Sequence, residues 1–334
     1  MTSFPVSIDE VFRLFSHQTI LVIGDLMLDR YIVGKVNRIS PEAPVPVLEY
    51  EQETCSLGGA CNVALNLKSL GADVVTIGVV GQDEAGSLLM DKLTQEGLPT
   101  DGIINIKDRM TTEKTRIMAG GQQLLRLDKE VTKQLSRQDQ VQMVSKAIGC
   151  LKGGGITGLV FQDYNKGVLN EQVISAILAE TQRLGIPVTV DPKHRFFWSY
   201  KGVDIFKPNL KEVVQILGYD VPPKLDALSK ASNIIRERLT CKAVLITLSE
   251  RGIFYDDGLT QEIVTTKARV LADPCGAGDT VISMATLALT ASLPIRLIAQ
   301  LANLAGGQVV ENSGVVAVNR EQLFQEALQH KILG

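Results

Sequence analysis

Asp273-Pro274-Cys275-Gly276-Ala277-Gly278-Asp279-Thr280 stands immediately before an apolar run of small residues, Val281 to Ala291, that reads as a buried helix. Glycines just ahead of a helix let the backbone turn tightly and leave the first amide N–H groups unpaired. Those donors, with the positive end of the helix dipole, make an anion site. Asp279 falls in the first turn. The dipole alone favours an acidic residue there. A carboxylate beside an anion site also suits a reaction in which it takes a proton from a hydroxyl while the amides hold a phosphate in transfer.

The surrounding chain sets limits. Its 334 residues are 45% hydrophobic and 21% charged, enough for a sizeable core in an ordinary globular protein. Lys and Arg number 34 against 37 Asp and Glu, so no basic footprint for nucleic acid is present. No apolar stretch reaches membrane-spanning length, and Met1 to Ser16 lacks a signal-peptide layout, which makes the cytoplasm the expected compartment. Five scattered cysteines form no C-x-x-C pair and argue against a disulfide frame or zinc site.

Thr19 to Gly24 is a short β-branched run ending in glycine, the pattern of a strand buried on both faces. Asp25 and Asp29 follow at its carboxyl end, the edge where open α/β sheets bind ligands. Neither a G-x-G-x-x-G fingerprint nor a P-loop occurs. Tyr31–Val36 and Val45–Tyr50 read as strands around a proline-rich connection, either a plain edge hairpin or a lid from which Arg38 reaches an anionic substrate. Gly58-Gly59-Ala60-Cys61-Asn62 opens a helix and permits close backbone approach, with Asn62 offering both a donor and an acceptor. Three further apolar-alternating runs occupy Gly102–Ile106, Glu113–Met118 and Gln122–Asp128. Asn209 and Glu212 have capping-box spacing, and the same pair suits contact with magnesium through water. The recurring order of strand, polar tip and helix predicts a mostly parallel sheet flanked by helices, with Asp25, Asp163, Asp191, Asn209, Ser249 and Asp279 along one edge.

Taken together, Gly58-Gly59-Ala60-Cys61-Asn62, Asn209-Leu210-Lys211-Glu212 and Gly276-Ala277-Gly278-Asp279 resemble, in order and spacing, the signatures of the ribokinase (PfkB) family of carbohydrate kinases, from about Thr19 to Val318. Gly24 to Tyr31, Arg38 to Val47, Gln122 to Asp128, Asp163 to Gly167 and Asp191-Pro192-Lys193 resemble more narrowly the heptose-7-phosphate kinases of the lipopolysaccharide core pathway. That resemblance implies a single α/β domain over residues 1–334. It would be a ribokinase-like three-layer αβα sandwich whose small β lid comes from about 31–50 and 102–128. It implies transfer of the ATP γ-phosphate to the anomeric hydroxyl of D-glycero-β-D-manno-heptose 7-phosphate.

By position, Asp279 is the expected general base, and Gly276, Ala277 and Gly278 supply amides to the developing charge. Asp25, Gly58, Gly59 and Asn62 would hold sugar hydroxyls. Arg38, Lys166 and Lys193, with Arg126 as a further candidate, would meet the substrate phosphate. Asn209, Glu212, Ser249 and Gly252 would line the nucleotide, with Glu212 reaching magnesium through water. ATP with Mg²⁺, a monovalent cation and a homodimer clasped through the lid complete the expectation. Cys275 replaces the family's usual Thr or Ser, and Pro274 a small aliphatic residue, but backbone amides rather than those side chains should bind the anion. Some relatives fuse a nucleotidyltransferase behind the kinase, and none is expected in a sequence ending at Gly334. Another sugar kinase acting on ribose or fructose, and a non-catalytic sugar-binding protein, are the alternatives.

Overall fold

The computed structural model describes residues 7–332 except 267, 268, 270–272 and 313. The apolar run after Gln18 becomes β1 (Thr19–Gly24), and its alternation explains the layering. Ile20 and Val22 enter one hydrophobic core, while Leu21 and Ile23 enter another on the opposite face. The strands that follow are β2 (Leu26–Ile39), β3 (Pro46–Gly59), β4 (Asp73–Gly81), β5 (Ile103–Ile106), β6 (Thr112–Ala119) and β7 (Gln122–Lys129). Then come β8 (Gly158–Gln162), β9 (Val188–Asp191), β10 (Ile205–Phe206), β11 (Ala243–Thr247), β12 (Ile253–Asp256) and β13 (Gln261–Val264).

Nine strands form one sheet in the order β13-β12-β11-β10-β9-β8-β1-β4-β5, with parallel pairing throughout except that β12, near one edge, pairs antiparallel with both β11 and β13. Helices Ala60–Ser69, Ala277–Thr290, Ile295–Val309 and Arg320–Gln329 bury their apolar faces in the first core. Helices Arg137–Gly153, Glu171–Leu184 and Leu225–Leu239 cover the other. The result is the expected three-layer α/β/α sandwich. From β1 the chain winds first toward β4 and β5, and later to the other side through β8 and β9. The order therefore reverses at β1, the position where open α/β sheets leave a crevice at the strands' carboxyl ends. Gly24 is required there, because a Cβ on it would lie 2.0 Å from the Gln162 carbonyl oxygen.

A second sheet, ordered β3-β2-β6-β7, forms the lid. Only Asp25 separates β1 from β2, so the chain leaves the main sheet and enters the lid within one residue. The lid arms are consequently longer than Tyr31–Val36 and Val45–Tyr50, which are only their outer parts. The expected lid range 102–128 needs correction at its start. β5 pairs in parallel with β4 at the edge of the large sheet and buries Ile104 in the core, so only β6 and β7 complete the lid.

One buried side chain ties the crevice helices together. Asn66 donates Nδ2 to the Asn62 carbonyl oxygen (2.8 Å) and to Asn62 Oδ1 (3.1 Å). Its Oδ1 accepts from Thr280 Oγ1 (3.1 Å) and from the Val318 N–H (3.0 Å). Asn66→Ala strands these buried groups and is expected to cost about 1–3 kcal/mol of stability. A lower denaturant midpoint at unchanged m-value checks this, and an unmoved midpoint would contradict it.

Candidate active site

The Ala277–Thr290 helix points its N-terminus into the crevice. Its cap, Gly276, has φ +82°, a left-handed conformation that glycine adopts freely, and a Cβ there would also press on Asn62 Nδ2 at 2.9 Å. Asp279 sits three residues on, 4% exposed. Its Oδ2 accepts from Asn62 Nδ2 (2.8 Å), and its Oδ1 accepts from Tyr164 Oη (2.7 Å) and Gln162 Nε2 (3.0 Å). Burial raises this carboxyl to about 6, with Asp191 pushing the same way and Asn62, Tyr164 and Lys207 holding it down. A carboxyl tuned in that way is ionised near neutrality yet basic enough to accept a proton.

Next to it, the buried Lys207 ammonium pairs with Asp191 Oδ2 at 3.0 Å. A Cβ on Gly278 would stand 3.7 Å from both of those atoms, so the pair borders the amides at the helix start. Further along the edge, Asn209 and Glu212 form a reciprocal capping box. Asn209 Oδ1 accepts from the Glu212 N–H (2.9 Å), and Glu212 Oε2 accepts from the Asn209 N–H (2.8 Å). Glu212 Oε1 meets Lys193, whose ammonium also lies 5.3 Å from the Tyr164 ring centroid. Ser249 is exposed just past β11. Gly252 turns the chain into β12 with φ +100°, in a space where a Cβ would stand 1.9 Å from the Val264 carbonyl oxygen. Its requirement is thus the backbone turn.

The structure brings Asn62, Gly276, Ala277, Gly278 and Asp279 together and sets Gly58 and Gly59 beside them. Gly58 lies under Asp29, where a Cβ would be 2.1 Å from Asp29 Oδ2, and Gly59 (φ +57°) passes close to the Asp25 carbonyl oxygen. Asp25 needs correction. Its carboxylate accepts the backbone N–H groups of Tyr164 (2.7 Å), Lys166 (3.2 Å) and Val168 (3.4 Å), and only 1% of it is exposed. It anchors a loop and is not free for sugar hydroxyls. The carboxylate that does face the crevice is Asp29, on lid strand β2 and paired with Arg116.

The four expected phosphate cations also fall out differently. Arg38 lies at the exposed outer end of β2. Lys166 pairs with Glu130 at 2.6 Å and Lys193 with Glu212, while Arg126 chelates Asp128 at 2.8 and 3.0 Å. The Lys166 and Lys193 partners come from other segments of the chain, which motif spacing does not record, whereas Arg126 takes a carboxylate two residues away in its own strand. Sequence reasoning missed Asp29, Arg116, Gln162, Tyr164 and Lys207 as site residues. Asp29 and Tyr164 stand inside motifs already singled out, and Lys207 lies two residues before Asn209. Cys275 accepts from Arg116 (3.5 Å), and burial raises its thiol to about 11, so it stays protonated.

The arrangement can deprotonate a hydroxyl at Asp279 while amides and an ammonium receive negative charge beside it. Comparison with known proteins agrees with that chemistry. The chain is 39% identical over 321 residues to the bifunctional protein HldE of Methylobacillus flagellatus, covering 96% of this chain and 65% of that protein. It is 40% identical over 312 residues to the bifunctional protein HldE of Wolinella succinogenes, covering 92% and 64%. The chain thus spans less than two thirds of these relatives. Among solved structures, Escherichia coli phosphofructokinase-2 in complex with substrates and products superposes with TM-score 0.77 at 18% identity, covering 92% of this chain and 99% of that one. Arabidopsis thaliana ribokinase complexed with ribose and ATP gives 0.72 at 17% identity, covering 92% and 98%. Residues 17–322 match the pfkB family carbohydrate kinases, and the chain belongs to that family.

Proposed function

We propose that this chain transfers the γ-phosphoryl group of ATP to the anomeric hydroxyl of D-glycero-β-D-manno-heptose 7-phosphate. The product would be the 1,7-bisphosphate, on the way to ADP-heptose for the lipopolysaccharide core. The observation that carries the phosphotransfer is the buried Asp279, held by three neutral donors at the start of a helix. Support for the heptose comes from the Gly24–Tyr31, Arg38–Val47 and Asp163–Gly167 motifs and from the similarity to HldE.

In this reading Asp279 accepts the proton of the sugar hydroxyl as its oxygen attacks the γ-phosphorus in line. The amides of Gly276, Ala277 and Gly278 take the developing charge, with Lys207 beside them. No covalent enzyme intermediate is needed, and positioning with electrostatics supplies most of the acceleration. Asn62, Gly58 and Gly59 hold the sugar. Asn209, Glu212, Ser249 and Gly252 follow the nucleotide.

The residues at the nucleotide end fit a hydrated magnesium bound mainly through ATP. Among the described residues no cluster of three or more His, Cys, Asp or Glu side chains could cage a metal. Mg²⁺ commonly keeps waters and phosphate oxygens around one or two carboxylates, a role Glu212 would fill through water. When bound, the metal would neutralise phosphate charge.

The reading also includes a monovalent cation, as one fold neighbour, phosphofructokinase-2 from Escherichia coli, was solved in complex with potassium. It includes a homodimer clasped through the lid, where β7 is exposed along its length with Leu124, Leu125 and Leu127. A monomer in sedimentation at micromolar concentration would refute the clasp. No helix among the described residues is long and apolar enough to cross a membrane, and the reaction would run in the cytoplasm, where ATP is available.

Asp279→Asn is expected to lower kcat by roughly 10²–10⁴-fold with ATP affinity near wild type, since a general base typically contributes that much. Near-normal turnover would remove Asp279 from its role. Because the ionised base is the active form, kcat/KM should rise with pH through about 6 and level off above it. Tyr164→Phe deletes a donor that lowers the base's pKa, so its acidic limb should move to higher pH. An unmoved limb would show that the hydroxyl does not tune the base. The substrate is tested by ADP release with ATP and magnesium, comparing heptose 7-phosphate with unphosphorylated heptose, ribose and fructose. Preference for the 7-phosphate supports the reading, and preference for a neutral sugar overturns the substrate while leaving Asp279 in place.

A further inference from the structure

The lid sorts its side chains by face. Side chains two residues apart along a strand share a side, and cross-strand partners share it too. Asp29 pairs with Lys114 in register and Tyr31 with Arg116. Across the next ladder Lys114 stands opposite Asp128 and Arg116 opposite Arg126. Arg116 reaches Asp29 and Cys275, so this face looks onto the crevice. Glu113 belongs to the other face, where it meets Arg30 at 2.9 Å and Lys129 at 3.8 Å.

On the crevice face each carboxylate is already taken by an arginine. Asp29 is held by Arg116, and Asp128 by the two-point grip of Arg126. Lys114 is the surplus cation. Among the described residues it has no carboxylate within 4.0 Å, and its ammonium lies 5.1 Å from the Tyr164 ring centroid. Lys193 approaches the same ring at 5.3 Å, and the hydroxyl of that tyrosine bonds Asp279. Burial, with Lys166 and Arg116 nearby, lowers the Lys114 pKa from its ordinary value, while Asp29 and Asp128 pull the other way. A half-buried ammonium facing a crevice without a counter-ion is costly unless a ligand supplies the missing charge.

We propose that Lys114 is the lid residue that receives the phosphate monoester of the sugar substrate, Lys193 being already paired with Glu212. The assignment rests on the reading of the substrate as a sugar phosphate and gives that phosphate a place. The geometry suits it, because the ring beside the Lys114 ammonium carries the hydroxyl that bonds Asp279, which sets Lys114 at the edge of the same site. A sugar with its reacting hydroxyl at Asp279 would carry its phosphate at the far end of its carbon chain, toward the lid. Arg126 then acts indirectly, by occupying the Asp128 carboxylate that Lys114 would otherwise meet.

The test measures kcat/KM for matched phosphorylated and neutral sugars, namely heptose 7-phosphate with heptose, fructose 6-phosphate with fructose, and ribose 5-phosphate with ribose. It compares wild type, Lys114→Met and Lys114→Arg. The methionine variant is expected to lower the ratio of phosphorylated to neutral substrate roughly 10- to 100-fold, the scale of one charged hydrogen bond, and arginine to restore most of it. Thermal unfolding checks that both variants fold, with Lys114→Gln replacing methionine if it does not. A ratio unchanged in the methionine variant, or an equal loss for both sugars of a pair, overturns the proposal. Wild-type preference for another sugar's phosphate ends the heptose reading alone, since the Lys114 ratio still decides this one. Wild-type preference for neutral sugars throughout ends both.

Discussion

A carboxylate removed from water has to be satisfied by the protein, and the site is arranged around that requirement at Asp279. Its three donors come from two distant parts of the chain: Asn62 in the first turn of the Ala60–Ser69 helix, and Gln162 at the end of β8 with Tyr164 just beyond it. Each is neutral, so the charge is held by hydrogen bonds rather than cancelled. Cancellation by an adjacent arginine would depress the pKa and remove the basicity that proton transfer needs. Neutral donors alone hold the group without that loss. Burial then sets the direction of the shift and the donors limit it.

The same economy governs the backbone around the site. At the reversal in strand order, β1 ends in a glycine pressed against the Gln162 carbonyl, and the next residue already belongs to the path into the lid. Asp25 at that junction spends its carboxylate on three backbone N–H groups of the loop that carries Tyr164. The loop bearing a donor to Asp279 is therefore fixed at the point where the chain passes from the main sheet into the lid.

Much of this was legible in the sequence because it is written locally. Buried β-branched runs, glycines before helices and polar tips after strands are short-range patterns, and they gave the parallel sheet and the crevice edge. Asp279 and Asn62 were found because each follows a glycine-rich helix start. Asp25 and Asp29 show the limit. Both follow one strand, and only the register of β2 against β3 and β6 reveals that Asp29 faces the crevice while Asp25 turns under a loop. The run at Gly102–Ile106 alternates as a lid strand would, and its pairing with β4 is a tertiary choice. The helix Ile295–Val309 went unread since Gly306 and Gly307 weaken its local signal. Gly306 is needed for packing, as a Cβ there would stand 2.7 Å from Val281 Cγ2.

Charge pairing explains why the phosphate cations were the hardest to read. Lys207 with Asp191 and Lys193 with Glu212 keep this part of the crevice edge near neutral. Lone ammonium groups at that depth would be desolvated and destabilising, and the paired carboxylates offset that cost. An incoming nucleotide brings several negative charges together with a divalent cation. The net change the site must absorb is then modest, and paired residues can exchange partners without a large electrostatic penalty. In the proposed reaction a phosphate on the sugar would arrive with no such metal. Its charge would have to be met by a cation that is not already committed, and on the crevice face of the lid the arginines leave Lys114 without a carboxylate within 4.0 Å among the described residues.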